Sequence, residues 1–158
     1  MENTKEVSFS RVFNASPERV WKAWTDPAEL KKWWGPDNVT IPECEIDLRV
    51  GGRIYIVMEA GEAMGQYKGT RWPMEGKFTV VEKNAKLAYA AKAWTQGAEE
   101  STYIEQVQEI TFAGEDGKTK MELKITVSKI GPAAGMAIQG MRMGFSQQFE
   151  KLNAYLAK

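Results

Sequence analysis

Hydrophobic and polar residues alternate along most of the chain between Val39 and Val127. An earlier stretch, with Val7, Phe9 and Phe13 at alternate positions of residues 7–13, has the same period. Successive side chains of a strand point to opposite faces, so a period of two residues is typical of β-strands. The connections are short, which favours antiparallel pairing. The pattern therefore predicts an antiparallel sheet.

Turn residues divide this pattern into separate strands. Gly51-Gly52 predicts a tight hairpin, Asn84 and the polar stretch 95–101 predict loops, and Glu115-Asp116-Gly117 predicts another tight turn. The expected strands are 7–13, 39–50, 53–58, 74–81, 86–94, 103–112 and 120–127. We therefore predict seven strands.

Two helix starts follow the first strand. Ser16 precedes Pro17 and Glu18, and Asp26 precedes Pro27 in the same way. A Ser or Asp cap followed by proline is a strong signal for a helix start. Gly35-Pro36 then ends the segment, because proline cannot continue a helix. We predict two short helices within residues 17–33.

The end of the chain has a different period, with apolar residues every three or four positions. One helix of roughly 22 to 25 residues, between about 132 and 158, explains this spacing. Such a helix needs a broad surface to lie on, and the sheet provides one. The apolar stripe consists of Ile138, Met141, Phe145, Phe149, Leu152 and Leu156.

The first half of this predicted helix is unusual because it is rich in glycine and methionine. Gly135, Gly140 and Gly144 each weaken a helix by about 1 kcal/mol relative to alanine. One interpretation is that this half covers a space that is not fully packed, while the second half is an anchor. The alternative is that Gly140 and Gly144 let the helix approach the sheet closely.

Composition limits the broad class of the protein. The length of 158 residues predicts one domain over 1–158. Because 21 acidic residues balance 21 basic ones, the sequence has no excess of positive charge for binding nucleic acid. No apolar run is long enough to predict a signal peptide or membrane insertion. The single cysteine, Cys44, excludes an internal disulfide. We predict a cytoplasmic protein of the α+β class, a monomer or a homodimer.

Several short motifs together resemble a known family. They include Val-Trp at 20–21, Thr-Asp-Pro at 25–27, Trp-Trp-Gly-Pro at 33–36 and Gly-Gly-Arg at 51–53, with Glu75-Gly76, Gly144-Phe145 and Tyr155-Leu156 later in the chain. The sequence is similar to small bacterial homologues of the activator of the heat-shock-chaperone ATPase, within the START-like (SRPBCC) helix-grip superfamily. The resemblance implies a curved antiparallel sheet that grips the long C-terminal helix around a cavity. It does not fix a function, and Phe145 stands where relatives often carry Trp.

The residues offer little for catalysis or metal binding. The sequence contains no histidine, the commonest general base and metal ligand. Cys44 lies between Glu43 and Glu45, whose charges raise rather than lower a thiol pKa. Gly51-Gly52-Arg53 lacks the Lys-Ser/Thr ending of a phosphate loop. We expect no metal, no cofactor and no catalytic residue.

Acidic residues on the second strand have two interpretations. Glu43, Glu45 and Asp47 share one strand face, which is ordinarily solvated, and Asp47 with Arg49 or Arg53 would form a structural ion pair. A general acid or base role would instead require a carboxylate inside the cavity, beside Tyr55, Tyr89 or Tyr103.

Aromatic residues and methionines supply the candidate binding site. An apolar pocket with a few polar groups is what a small-molecule site usually looks like. We therefore predict that the protein binds a small apolar or amphipathic molecule between the sheet and the C-terminal helix. The alternatives are a chaperone-interacting module, and a cyclase- or hydrolase-like enzyme that uses tyrosines and carboxylates. The expected ligand-binding residues are Trp33, Tyr55, Trp72, Tyr89, Trp94, Met141, Phe145 and Phe149.

Overall fold

The computed structural model describes residues 5–157, with side chains for residues 6–135 and 140–157. The strands are β1 (Lys5–Phe13), β2 (Val39–Ile46), β3 (Arg53–Ala60), β4 (Arg71–Glu82), β5 (Lys86–Ala93), β6 (Ile104–Glu115) and β7 (Lys118–Ile130). The helices are α1 (Pro17–Thr25), α2 (Pro27–Leu30), α3 (Glu99–Thr102) and α4 (Gly135–Leu156).

All seven strands form one antiparallel sheet, in the order β1-β7-β6-β5-β4-β3-β2. Consecutive strands from β2 to β7 are neighbours, so short connections suffice between them. β1 instead pairs with β7, at the opposite edge of the sheet from β2. Since β1 and β2 lie at opposite edges, α1 and α2 carry the chain across the sheet. The predicted α+β fold class, with its curled antiparallel sheet and long C-terminal helix, is confirmed.

The two short helices begin where the caps predict. The Ser16 hydroxyl accepts a hydrogen bond from the Arg19 N–H at 3.2 Å, and the Asp26 carboxylate accepts one from the Ala28 N–H at 2.9 Å. The second helix ends at Leu30, three residues before the predicted end at Trp33. Bonds of the i→i+3 type, such as Trp33 N–H to Leu30 carbonyl at 3.2 Å, tighten the chain after Leu30.

Aromatic side chains fill the interior beneath the short helices and the second half of α4. Trp24 meets Trp33 edge to face, with ring centroids 4.9 Å apart, and also lies 6.4 Å from both Phe112 and Phe149. Leu152 is completely buried beside them in the same core. We call this region, made of Trp24, Trp33, Phe112, Phe149 and Leu152, the packed end.

The connection between β2 and β3 differs from the predicted tight hairpin. β2 ends at Ile46, and residues 47–52 form a longer loop. The reason is that the Gly51 N–H donates to the Phe78 carbonyl at 2.8 Å, which directs the loop towards β4. Two short segments were also missed within predicted turn regions: the 3₁₀ turns over Glu62–Tyr67, and α3.

The charged groups of β2, β3 and β4 lie on the outer face of the sheet. Asp47 pairs with Arg49 at 2.8 Å, as predicted, while Arg53 instead bridges Glu45 at 2.7 Å and Glu75 at 2.6 Å. These side chains are about half-exposed, and exposed pairs of this kind stabilise a fold by only about 0 to 1 kcal/mol. The network is therefore a weak structural feature.

Candidate ligand-binding cavity

A cavity of about 410 Å³ lies between the inner face of the sheet and the first half of α4. Its walls come from the loop after α2, from β2 to β6 and from α4. The lining residues are Trp34, Pro36, Val39, Ile56, Met58, Met64, Trp72, Met74, Ala93, Ile104, Gln106, Gln108, Gly140, Met141, Gly144, Phe145 and Gln148.

The sheet side of the cavity follows directly from strand register. Met58 pairs with Trp72, and Ile56 pairs with Met74, across β3 and β4. On the next two strands, Ala93 pairs with Ile104. Side chains paired across antiparallel strands lie on the same face. A continuous apolar wall results from these pairs.

The helix side is lined by Met141 and Phe145 and by two glycines. A Cβ atom added to Gly140 would meet no atom within 4 Å, and one added to Gly144 would meet only the Pro36 Cβ at 3.9 Å. The interpretation that these glycines bring the helix close to the sheet is therefore wrong. They leave open space, which supports the interpretation of this half of α4 as a cover.

Methionines lie on three sides of the cavity. Met58 comes from β3, Met64 from the 3₁₀ turns and Met141 from α4, and each is half-buried. A methionine side chain has three rotatable bonds and a polarizable sulfur, so it adapts to irregular neighbours. This lining can adjust to different ligand shapes.

Two glutamines on β6 bring polar groups into the apolar wall. The Tyr89 hydroxyl donates to Gln108 Oε1 at 2.6 Å, and Gln108 Nε2 donates to Gln106 Oε1 at 2.8 Å. Burial raises the pKa of Tyr89, so its hydroxyl stays protonated and can donate. The donation by Tyr89 fixes the orientation of both amides. Among the described residues, Gln106 Nε2 then donates to no protein group.

A third glutamine, Gln148, enters from α4. Its Oε1 accepts a hydrogen bond from the Gly35 N–H at 2.8 Å, so its Nε2 must point elsewhere. Gln148 is only 3% exposed, and its Nε2 has no hydrogen-bond partner among the described residues. A buried donor without a partner costs about 1 to 3 kcal/mol. Such a group calls for a functional explanation.

Three of the predicted ligand-binding residues line the cavity: Trp72, Met141 and Phe145. Their contact with a ligand stays a prediction. The three glutamines of the lining were not predicted, nor were its other apolar side chains: Trp34, Pro36, Val39, Ile56, Met58, Met64, Met74, Ala93 and Ile104. The glutamines had a detectable signal, since Gln106 and Gln108 occupy positions in β6 where the alternation requires apolar residues.

The structure places the other five predicted residues away from the cavity. Trp33 and Phe149 belong to the packed end, and Tyr89 lies behind Gln108 rather than at the surface of the hollow. Tyr55 lies on the outer face of the sheet, because Ile54 and Ile56 take the inner positions of β3. The centroid of the Tyr55 ring is 4.3 Å from the guanidinium carbon of Arg53. Trp94 follows β5, with Lys92 Nζ 6.0 Å from its ring.

Charged groups are absent from the lining of the cavity within the described part of the chain. Glu43, Glu45 and Asp47 are exposed, so the carboxylate that the enzyme alternative requires does not line the cavity. Burial raises the pKa of the Cys44 thiol to about 11, which leaves it a poor nucleophile at neutral pH. Residues 5–157 also hold no cluster of three or more potential metal ligands.

Residues 14–157 match the family described as Activator of Hsp90 ATPase homolog 1-like protein. The chain belongs to this family. The match covers both short helices, the whole run of strands from β2 to β7, and α4. The family resemblance of the sequence motifs is therefore confirmed. No curated protein matches the chain.

Solved structures of similar proteins share the fold along nearly the whole chain. A protein from Chromobacterium violaceum is 23% identical, with a TM-score of 0.76, and the match covers 97% of each chain. One from Nitrosomonas europaea is 21% identical, with a TM-score of 0.75 and coverage of 96% and 94%. The AHSA1 protein from Silicibacter pomeroyi is 21% identical, with a TM-score of 0.72 and coverage of 97% and 98%. These similarities show the fold of this AHSA1-like protein.

The sequence predicts no membrane insertion. Along the described residues, no helix is both long and apolar enough to cross a membrane.

Proposed function

We propose that this AHSA1-like protein binds a small apolar or amphipathic molecule in the cavity between its sheet and α4. The observation that carries this proposal is the hollow of about 410 Å³ beneath the first half of α4. Small-molecule sites typically have volumes of about 300 to 1,000 Å³ and are lined by apolar side chains with a few polar groups. The cavity has both properties.

The contrast with ordinary protein interiors supports the proposal. Protein interiors are close-packed, and empty volume costs stability because the lining atoms lose their contacts. In this chain, two glycines and several flexible methionines stand where larger, branched side chains would close the space. A bound molecule would restore the missing contacts.

Three side chains give the ligand its broadest apolar contacts. Trp72 lies on β4, and Met141 and Phe145 lie on α4, one turn apart and on the opposite side of the cavity. We propose that the ligand lies between Trp72 and these two residues. Met64 and Met58 then adjust around it.

Filling the cavity with a side chain tests the proposal. We expect the neutral fluorescent dye N-phenyl-1-naphthylamine to bind the parent protein, and Met141→Trp to reduce its affinity about tenfold or more, because the indole takes up the same volume. The measurement is a fluorescence titration at constant protein concentration, with folding checked by circular dichroism.

Met143→Trp is the matched control, because Met143 lies on the same helix two residues away and is 69% exposed. This variant should bind the dye as the parent does. Equal dye affinity in the parent and in a folded Met141→Trp variant would contradict binding in this cavity. Native mass spectrometry of the purified protein gives an independent readout, since a co-purified compound should be lost from Met141→Trp and kept by Met143→Trp.

A further inference from the structure

The polar groups of the cavity specify the chemistry of its ligand, provided that the cavity binds a ligand as proposed above. Apart from the indole N–H groups of Trp34 and Trp72, the polar side-chain groups of the lining in the described part of the chain come from Gln106, Gln108 and Gln148. Each carboxamide has one acceptor oxygen and one donor nitrogen. What a ligand meets therefore depends on which of these atoms are already used.

Each acceptor oxygen already receives one hydrogen bond from the protein. Gln108 Oε1 accepts from the Tyr89 hydroxyl, Gln106 Oε1 accepts from Gln108 Nε2, and Gln148 Oε1 accepts from the Gly35 N–H. Turning Gln106 or Gln148 over would place its amide nitrogen opposite the Gln108 amide nitrogen or the Gly35 N–H, and turning Gln108 over would remove the acceptor of the buried Tyr89 hydroxyl proton. The orientation of all three amides is therefore determined by the protein.

The unused atoms are both donors. Within residues described by the structure, Gln106 Nε2 and Gln148 Nε2 donate to no protein group. Gln148 Nε2 is buried without a partner, while Gln106 is 7% exposed. The two donors come from different sides, β6 and α4, and the buried one lacks the acceptor that a buried donor requires.

The charge of the ligand is limited by the same lining. No lysine, arginine or carboxylate lines the cavity among the described side chains. An ionised group without a counter-charge is expensive to transfer from water into an apolar site, whereas a neutral acceptor costs much less once it is hydrogen-bonded. We propose that the cavity selects a neutral, apolar molecule that carries a hydrogen-bond acceptor, such as a ketone, ester or amide carbonyl, bound by the amide nitrogens of Gln106 and Gln148.

Three probes with one naphthalene skeleton separate these requirements. The ketone is 6-propionyl-2-dimethylaminonaphthalene, and the anion is 6-dimethylamino-2-naphthoate. The third probe is the 6-propyl analogue of the ketone, which keeps the dimethylamino group but lacks the carbonyl, and we call it the hydrocarbon probe. One hydrogen bond contributes about 0.5 to 1.5 kcal/mol net, so we expect the ketone to bind about 3- to 10-fold tighter than the hydrocarbon. The anion should bind weakest of the three.

The variant Gln148→Met replaces the amide with an apolar side chain of similar size, so it removes the Nε2 donor and also the acceptor of the Gly35 N–H. It should weaken ketone binding about 3- to 10-fold and leave hydrocarbon binding unchanged or improved. Gln147→Met is the matched control, because Gln147 also accepts a hydrogen bond from the same loop, from the Asp37 N–H at 3.1 Å, without lining the cavity. This control should leave both affinities unchanged.

A measurement on the parent protein keeps the test independent of variant folding. The carbonyl stretch of the bound ketone, isotopically labelled and read by infrared difference spectroscopy, should lie at lower wavenumber than in a hydrocarbon solvent, since a hydrogen bond weakens the C=O bond. An unshifted stretch would overturn the assignment of these amides as donors to the ligand.

The possible results also distinguish the two proposals. Equal affinity for ketone and hydrocarbon would leave ligand binding in place and overturn the requirement for an acceptor. Tightest binding of the naphthoate would overturn the requirement for a neutral molecule. If none of the three probes binds, while the parent protein is folded, the proposed binding function itself fails.

Discussion

The packed end and the cavity lie against the same sheet and under the same helix, yet their interiors are built from different residues. Under the second half of α4, rigid aromatic rings and Leu152 exclude space, and Trp24 and Phe149 are both 1% exposed. Under the first half, glycines and methionines leave about 410 Å³ unfilled. Side-chain choice along one helix therefore decides whether the sheet encloses a core or a binding site.

The largest expected difference between the two ends concerns loss of side-chain volume. Leu152→Ala should lower the free energy of unfolding by about 2 to 5 kcal/mol, because it creates a cavity in a fully buried site. Met141→Ala should cost less than about 1 kcal/mol, since Met141 already faces open space. Chemical denaturation of both variants measures the difference. Equal costs would mean that the two ends are packed alike.

Added volume should likewise cost more at the packed end than at the cavity. Phe149→Trp should cost about 1 to 3 kcal/mol, because its ring already lies within 6.4 Å of the Phe9, Trp24 and Phe145 rings. Met141→Trp should change the free energy of unfolding by less than about 1 kcal/mol, since the indole enters the cavity. The denaturation midpoints of these two variants provide the measurement. A strongly destabilised Met141→Trp would show that the cavity closes in solution.

Substituting the glycines of α4 should have a smaller effect and should stabilise the protein. Gly140→Ala and Gly144→Ala should each raise the free energy of unfolding by about 1 kcal/mol, because alanine favours the helix and the new Cβ has room. Thermal unfolding of the two variants, with the double variant to check additivity, measures the gain. Destabilisation by either alanine would indicate that the helix lies closer to the sheet than the structure shows.

The smallest effect is expected outside both ends, in the exposed loop between β2 and β3. Asp47→Asn should cost about 1 kcal/mol or less, because the Asp47–Arg49 pair is exposed, and the difference should shrink further as salt screens the charges. Denaturation at low and high ionic strength measures it. A loss as large as that of Leu152→Ala would contradict the view that the interior determines stability.

Much of the fold could be predicted from local rules. The alternation between Val39 and Val127 predicts strands, and the caps at Ser16 and Asp26 predict the helix starts, because these signals depend on neighbouring residues alone. The end of α2 was predicted less accurately than its start. Trp33 and Trp34 follow a tightened turn, so Trp34 rather than Trp33 reaches the cavity, and no local pattern indicates which of two adjacent tryptophans faces inward.

The binding site was harder to predict because it depends on which face of a strand or helix each side chain occupies, and on contacts between residues distant in sequence. The position of Tyr55 could be deduced from Ile54 and Ile56, whose alternation places it outward. Gln148 lies three residues after Phe145 and four before Leu152, so it is on the apolar stripe, and this spacing was a signal. The bond from Gly35 to Gln148 connects residues 113 positions apart in the chain, and only the folded structure reveals it.

Gly76 allows β4 and β5 to approach each other closely, whichever side chains line the cavity. It lies in β4 between Met74 and Phe78, and an added Cβ would be 2.2 Å from the Ala90 carbonyl oxygen, so the two strand backbones approach closely where a side chain is absent. This contact involves main-chain atoms and does not depend on which side chains line the hollow. Substituting lining residues such as Met74 or Ile104, in evolution or in design, can therefore alter ligand preference without touching this close approach of β4 and β5.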